Sequence, residues 1–226
     1  MTNATSGCPC PDLTFVLDAT TGAVLVGDPN HLPAAVTHQL REFFGPARQL
    51  ACAVPLALLQ VPAASPAEIA AGTCVRIAGV AHDSLIEEPG RRSTAKFQGC
   101  AIRCDRCITP DSWDPTAGYL VPVDRLADAL LDPAYDRDGV SILGGEPFQQ
   151  ADGLLALVRA LRARGCRHTI VYSGYTYDCL RRMAERQPAI GVVLDQIEVH
   201  VDGPYVQALA ESAGPWTASG TSASST

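Results

Sequence analysis

The fold is decided by residues 139–175, GVSILGGEPFQQADGLLALVRALRARGCRHTIVYSGY, where a strand, a glycine turn, a helix and a second strand follow one another. Val140–Leu143 is apolar and ends at two glycines, and Thr169–Tyr172 is a second short apolar run. The helix between them has one apolar stripe at positions i, i+1, i+4 and i+7, and Gly165 can end it. The stripe consists of Leu154, Leu155, Val158 and Leu161. Such a unit predicts an α/β fold with a mainly parallel sheet.

Further elements extend this pattern in both directions. We predict a strand at 94–98, helices at 124–131 and 177–186, and a strand that carries Ile197, Val199 and Val201. Reactive loops of parallel sheets lie at the carboxyl ends of the strands. We therefore expect four turns to meet at one edge of the sheet. They are the cysteine loop after residue 98, Gly144–Pro147, Ser173–Tyr175 and Asp202–Pro204.

Residues 1–72 are predicted to form a separate α+β appendage without chemistry of its own. The stretch LTFVLDATTGAVLVG (13–27) indicates a hairpin, and HLPAAVTHQLREFF (31–44) a helix. The apolar run LACAVPLALLQVPAA (50–64) leads into a Pro-Ala-Ser segment that is typical of a linker. This appendage either docks a partner, which we favour, or covers the catalytic domain, which we place at 73–216. Residues 217–226 are expected to be a flexible tail.

The amino-acid composition of the chain argues against several classes of protein. With 226 residues and 47% apolar composition, the chain can bury a core, which excludes a disordered protein. A net charge of −7 argues against a nucleic-acid partner. Neither a signal peptide nor a membrane span is evident, so we expect a cytoplasmic protein without a membrane partner. Three of the nine cysteines fall within eight residues, which favours metal ligation in a reducing compartment.

The segment FQGCAIRCDRC, residues 97–107, places Cys100, Cys104 and Cys107 at spacings of four and three. A structural zinc site has four protein ligands, whereas a cubane cluster held by three cysteines leaves one iron open to a substrate. The spacing therefore favours a [4Fe-4S] cluster. The alternative is a zinc knuckle whose fourth ligand is Cys74, Cys166 or a histidine.

The cysteine spacing, followed by GGEPF at 144–148, resembles the radical S-adenosylmethionine enzymes. The resemblance implies that Cys100, Cys104 and Cys107 bind the cluster and that S-adenosyl-L-methionine chelates its open iron. It also implies that the backbone of the turn meets the cofactor's amino group, and glycine permits that close approach. The residues of this turn are Gly144, Gly145 and Glu146. From their places at the converging strand ends, Ser173, Tyr175 and Asp202 are further candidates for cofactor contacts.

Three more segments resemble the activating proteins of anaerobic ribonucleotide reductase and the related glycyl-radical enzyme activating enzymes. They are ITPDSWDPTAG (108–118), similar to an "NPxTWD" signature, VYSGYTYDCL (171–180) and LDQIEVHVDGPYV (194–206). The resemblance implies an incomplete, TIM-like βα barrel and an anaerobic oxidoreductase that makes a 5'-deoxyadenosyl radical. It further implies a glycyl-radical enzyme as protein substrate and a one-electron donor such as flavodoxin or ferredoxin. Arg106, Ile108 and the tail after Trp216 depart from the family pattern.

Two other functions stay open at this point. A radical S-adenosylmethionine enzyme could instead modify a small molecule or a ribosomal peptide. A non-catalytic zinc or iron-sulfur module for electron transfer would also use clustered cysteines, and GGEP would then be a plain strand-to-helix turn. Metal analysis separates the two classes, because iron with acid-labile sulfide favours the radical enzyme and zinc alone favours the module.

Overall fold

The computed structural model describes residues 60–84 and 90–206, together with the backbone of strands at 16–18, 22–24 and 223–225. The chain forms two compact units, 1–57 and 58–226. The division falls earlier than the predicted boundary at residue 72, so residues 58–72 lie with the second unit.

In the first unit, strands β1 (Val16–Asp18) and β2 (Gly22–Val24) pair in antiparallel fashion. Val16 lies opposite Val24, which confirms the predicted hairpin. The predicted helix at 31–44 and most of the apolar run at 50–64 lie outside the described residues.

The second unit contains one mixed sheet of seven strands. The strands are β3 (Cys74–Ser84), β4 (Arg92–Phe97), β5 (Tyr119–Pro122), β6 (Gly139–Gly144), β7 (Thr169–Tyr172), β8 (Val199–Asp202) and β9 (Ala223–Ser225). Their order across the sheet is β5-β3-β4-β6-β7-β8-β9. Strands β4, β6, β7 and β8 are parallel to their neighbours in this group. Strands β3, β5 and β9 pair in antiparallel fashion. The predicted α/β class is confirmed.

The central parallel strands bring the four predicted turns to one edge. Phe97 at the end of β4 pairs with Gly144 at the end of β6, and Tyr172 at the end of β7 pairs with Val201. The carboxyl ends of four neighbouring strands therefore lie side by side, as the sequence predicted. The segment predicted to be a flexible tail contributes β9, whose residue Ser224 pairs with Val201.

Five α-helices are found in the described residues. They are α1 (Pro66–Ala71), α2 (Val123–Leu130), α3 (Ala151–Ala163), α4 (Tyr177–Ala184) and α5 (Pro188–Leu194). The three predicted helices correspond to α2, α3 and α4, whereas α1 and α5 were not predicted. The stripe on α3 is buried at Leu154, Val158 and Leu161 and only partly buried at Leu155. Among the described residues, no helix has both the length and the apolarity needed to cross a bilayer.

The predicted Pro-Ala-Ser linker is instead part of the second unit. Ser65 accepts a hydrogen bond from the Glu68 backbone amide while the Glu68 carboxylate accepts from Ser65, a capping box that begins α1. Arg125 donates to the carbonyl oxygens of Pro62 and Ala63 at 2.8 and 3.0 Å. The S-x-x-E pattern was the sequence signal for a helix here, and it outweighs the small-residue composition.

His200 is a buried polar residue in the middle of β8. It is 3% exposed, and neither ring nitrogen has a hydrogen-bond partner among the described residues. We expect His200→Leu to raise the free energy of unfolding by about 1–3 kcal/mol, because the unpaired group is removed. Burial lowers the pKa of His200 below 6.5, so the unfolded chain takes up the proton first as the pH falls. The increase in the free energy of unfolding caused by His200→Leu should therefore become larger as the pH falls from about 7 to about 5. Denaturant titrations at both pH values test this, and an equal gain at both would contradict it.

Candidate functional site

The loop that follows β4 is held at its start by two other segments. The backbone amides of Gly99 and Cys100 donate to the carbonyl oxygens of Ser112 and Trp113 at 2.9 and 3.1 Å. The Gly99 carbonyl accepts from the Glu146 amide at 2.8 Å. The backbone of Cys100 is thereby fixed between the 108–118 segment and the glycine turn, two motifs that the sequence had singled out separately.

The remaining cysteines lie further along the same loop. Cys100, Cys104 and Cys107 are all partly buried and free of disulfides. Arg103 and Arg106, which immediately precede Cys104 and Cys107, have φ angles of 50° and 55°. Left-handed residues reverse the direction of the chain, at a cost of roughly 1–2 kcal/mol each for a residue with a side chain. The two reversals allow a loop of eight residues to carry its three cysteines without extending away from the sheet.

In residues 60–84 and 90–206, no three His, Cys, Asp or Glu side chains are close enough to hold a metal ion. The three thiols share one loop but are not drawn together. The proposed fourth zinc ligands lie elsewhere: the Cys166 thiol, near the start of β7, is 3.8 Å from the hydroxyl of Thr169. The Cys74 thiol faces the carbonyl oxygen of Glu68 at 4.0 Å. Each of these two thiols contacts a residue outside the cysteine loop.

The glycine turn packs directly against the cysteine loop. Gly144 has a φ of 111°, and a Cβ on Gly145 would lie 2.4 Å from the Gly99 carbonyl oxygen. The Gly145 amide donates to the Phe97 carbonyl at 2.8 Å, as the Glu146 amide does to Gly99. The sequence had predicted that this turn offers its backbone to a cofactor. The amides of Gly145 and Glu146 are thus already engaged, so the carbonyl oxygens of the turn are the groups suited to a cofactor's amine.

The Glu146 side chain joins the glycine turn to the turn after β7. It is completely buried, and its carboxylate accepts from the backbone amides of Phe148 and Gly174 at 3.0 and 2.9 Å. The Ser173 hydroxyl lies 3.1 and 3.0 Å from its two oxygens. Burial raises the pKa of Glu146 to about 7, although these hydrogen bonds favour the ionised form. Glu146 therefore ties two of the converging turns together.

The other predicted cofactor residues occupy the same edge. The buried Ser173 hydroxyl also accepts from the Tyr175 amide at 3.0 Å. The Tyr175 carbonyl accepts from the Gly203 amide at 3.3 Å, and the Asp202 carboxylate accepts from the Tyr177 amide, which begins α4. The structure thus brings Ser173, Tyr175 and Asp202 together with the glycine turn, and each of them also has a structural contact of its own.

Comparison with known proteins identifies the family. Residues 86–222, more than half of the chain, match the family described as a 4Fe-4S single cluster domain. The chain is 32% identical to the anaerobic ribonucleoside-triphosphate reductase-activating protein of Escherichia coli over 141 residues, which cover 60% of the chain and 88% of that protein. The chain belongs to the family of radical S-adenosylmethionine activating enzymes.

Two further relatives extend the comparison. The pyruvate formate-lyase-activating enzyme of Clostridium pasteurianum is 31% identical over 132 residues, which cover 57% of the chain but only 55% of that enzyme. The anaerobic ribonucleoside-triphosphate reductase-activating protein of Vibrio cholerae is 28% identical, with 87% of that protein covered. The predicted family is confirmed, and its cofactors are a [4Fe-4S] cluster and S-adenosyl-L-methionine.

The thiols of this activating-enzyme chain suit a cluster by their number and type. Burial is the main cause that raises the pKa of the Cys100 thiol, and the nearby Glu146 carboxylate adds to the effect. Since iron binds thiolates, binding of the cluster at Cys100 must release the proton of the thiol. Three soft sulfur donors match iron-sulfur chemistry better than magnesium or calcium chemistry.

The titration of Glu146 should be visible in the metal-free activating enzyme. Because the folded pKa lies above the unfolded value of 4.5, the folded chain holds the proton to higher pH. The contribution of Glu146 to the free energy of unfolding should therefore decrease as the pH rises between about 4.5 and 7. Glu146→Gln should remove that slope, although the amide leaves one donor unpaired and lowers stability overall. Denaturant titrations at half-unit steps would check this, and equal slopes in both proteins would refute the protonation of Glu146.

Two glutamines that the sequence interpretation missed brace the site of the activating enzyme. The buried Gln98 amide donates to the carbonyl oxygens of Asp111 and Asp114, both at 2.9 Å. The Gln150 amide donates to the Gln98 carbonyl at 3.1 Å and to the Arg76 carbonyl at 3.0 Å. The sequence signal was weak: Gln98 lies two residues before Cys100, and Gln150 is the second residue after GGEPF.

Proposed function

We propose that this chain activates a glycyl-radical enzyme, using a [4Fe-4S] cluster held by Cys100, Cys104 and Cys107. The observation that carries the proposal is the contact between the two family motifs: Glu146 of the glycine turn donates from its backbone to Gly99, the residue before Cys100. A cluster on the loop and a cofactor on the turn would then be neighbours. The three cysteine ligands are assigned from the motif and from the shared loop.

When both cofactors are bound, the reduced cluster supplies the electron that cleaves S-adenosylmethionine to methionine and a 5'-deoxyadenosyl radical. The chain's own residues position the reactants and exclude water. Carbonyl oxygens of Gly144 and Gly145 can accept from the methionyl amine, and Ser173, Tyr175 and Asp202 are candidates for the other contacts. Glu146 holds the two turns at a fixed separation through Ser173 and Gly174.

The names of the relatives support a proposal for the protein substrate. The Escherichia coli and Clostridium relatives are named for the activation of anaerobic ribonucleoside-triphosphate reductase and of pyruvate formate-lyase. We propose for this chain a protein substrate of the same glycyl-radical class and a one-electron donor such as flavodoxin or ferredoxin. We further propose that the parallel part of the sheet is an incomplete barrel that opens toward the protein substrate, and that the protein is cytoplasmic.

The N-terminal segment is proposed to dock the partner enzyme. The family match begins at residue 86, after the first unit. If docking is its role, deletion of residues 1–57 should abolish partner activation while iron content and cofactor cleavage are retained. A truncated protein that activates its partner normally would exclude docking.

Electron paramagnetic resonance tests the proposed function. The reduced, reconstituted protein is mixed with S-adenosylmethionine and the anaerobic ribonucleotide reductase of the same organism. A glycyl-radical doublet should develop, with one 5'-deoxyadenosine formed per radical. Cofactor cleavage without any glycyl radical in this reductase or in another glycyl-radical enzyme of the organism would contradict the proposal and favour a small-molecule or peptide substrate.

A further inference from the structure

Gln149 connects the cysteine loop to the turn after β7. Its side-chain oxygen accepts a hydrogen bond from the Ala101 amide at 3.2 Å, and its side-chain nitrogen donates to the Tyr175 hydroxyl at 3.3 Å. Ala101 directly follows Cys100, and Tyr175 is one of the candidate cofactor residues. One exposed amide side chain therefore spans the two parts of the site that would hold the cluster and the cofactor.

The local fold places Gln149 at this position. Residues Pro147–Gln150 form a short 3₁₀ helix, which begins where the Glu146 carboxylate accepts from the Phe148 amide. Three residues complete a turn of such a helix, so consecutive side chains point about 120° apart. Phe148 is buried in the core, Gln150 reaches Arg76 and Gln98, and Gln149 is left to extend over the cysteine loop.

The contact is made where the loop has little other support. Gly99 and Cys100 are fixed by Ser112, Trp113 and Glu146. For the backbone of residues 101–106, the bond to Gln149 is the one hydrogen bond to a distant segment that the described part of the chain provides. The bond between the Cys107 amide and the Cys104 carbonyl lies within the loop itself. Loss of Gln149 would release the loop immediately after Cys100.

We propose that Gln149 is a positioning residue that couples the geometry of the cluster loop to that of the Tyr175 turn; this inference rests on the proposed function. It acts through Ala101 and Tyr175 without itself touching the reacting atoms. Both retention of the cluster and affinity for S-adenosylmethionine depend on it. Substitution of a residue that only supported the fold would change the thermal midpoint of unfolding. It would not change cluster retention and affinity for S-adenosylmethionine together.

The test compares four reconstituted variants with the unchanged protein under anaerobic conditions. Gln149→Leu loses both hydrogen bonds, and Gln149→Ser is too short to reach either partner. Gln149→Glu keeps an oxygen for the Ala101 amide and can accept from the Tyr175 hydroxyl. Gln187→Leu, a glutamine change before α5 and away from the site, is the control. The measurements are the rate of iron removal by a chelator and the apparent Kd for S-adenosylmethionine, read from the resonance signal of the reduced cluster.

We expect Gln149→Leu and Gln149→Ser to lose iron about fivefold faster and to bind S-adenosylmethionine about fivefold more weakly, the effect of one hydrogen bond in each case. Gln149→Glu should restore both values, and Gln187→Leu should match the unchanged protein. In a double-mutant cycle, Tyr175→Phe should add little to Gln149→Leu.

Values for Gln149→Leu and Gln149→Ser that equal those of the unchanged protein would overturn the coupling, and so would failure of Gln149→Glu to restore them. Failure of the cluster and cofactor assignment, the part of the proposed function on which this inference rests, is distinguishable, because the unchanged protein would then hold no iron or leave S-adenosylmethionine intact.

Discussion

Alanine at Cys100, Cys104 or Cys107 is expected to abolish the brown colour of the anaerobically reconstituted protein together with all cleavage of S-adenosylmethionine. The three residues lie on one loop, whereas the other cysteines that the structure describes, Cys74, Cys166 and Cys179, lie on other segments. A site with three thiolates has no spare ligand, so each single loss should be complete. Iron and sulfide analysis with the visible spectrum measures the result.

Cys166→Ala is the matched control for these variants. Its thiol is buried near Thr169, at the amino-terminal end of β7 and therefore at the opposite edge of the sheet from the loop. This variant should keep full iron content. If Cys166 or Cys74 proved as necessary as the loop cysteines, the open three-ligand site would be wrong and a closed four-ligand site would replace it.

Gly145→Ala is expected to lower S-adenosylmethionine cleavage by about 100-fold, because a shift of about 1 Å in positioning can cost that much. The added Cβ would meet the Gly99 carbonyl oxygen at 2.4 Å and the Gly99 carbonyl carbon at 2.9 Å. Both are backbone atoms, which cannot move aside as a flexible side chain would. The displaced segment includes Cys100, so iron content should fall as well.

Gly165→Ala separates this effect from general backbone strain. Gly165 has a φ of 91°, but nothing lies within 4 Å of an added Cβ. The substitution should cost roughly 1–2 kcal/mol of stability and leave iron content and cleavage unchanged. Normal cleavage and iron content in Gly145→Ala would show that the close contact between turn and loop is not required.

The parallel part of the fold was predictable because its signals are local. The apolar run at Val140–Leu143, the stripe on α3 and the stop at Gly165 each depend on residues within one or two helical turns. The short helices α1 and α5 were missed because they have six and seven residues, too few to show a periodic stripe. The antiparallel strand β3 was missed as well, because burial alternates along residues 74–78 but becomes continuous over residues 79–82, so that no single period describes its 11 residues.

The candidate site was predictable in its residue types but not in its contacts. The motifs indicated the loop cysteines and the glycine turn, and parallel strands explain why they meet. The braces are hydrogen bonds between residues far apart in sequence, such as Gln150 with Arg76 and Gln149 with Ala101. No local pattern encodes such pairs. The role of Glu146 as a buried link to Ser173 likewise required the geometry of both turns.

Radical cleavage of S-adenosylmethionine by this protein is tested most directly by the fate of that cofactor in the presence of the reduced protein alone. Anaerobically reconstituted protein is treated with dithionite, and the products are quantified by liquid chromatography and mass spectrometry. Slow formation of 5'-deoxyadenosine and methionine in equal amounts, absent from Cys104→Ala, is the predicted result. A protein that carries iron and sulfide yet leaves S-adenosylmethionine intact under these conditions would contradict cluster-dependent cleavage of the cofactor.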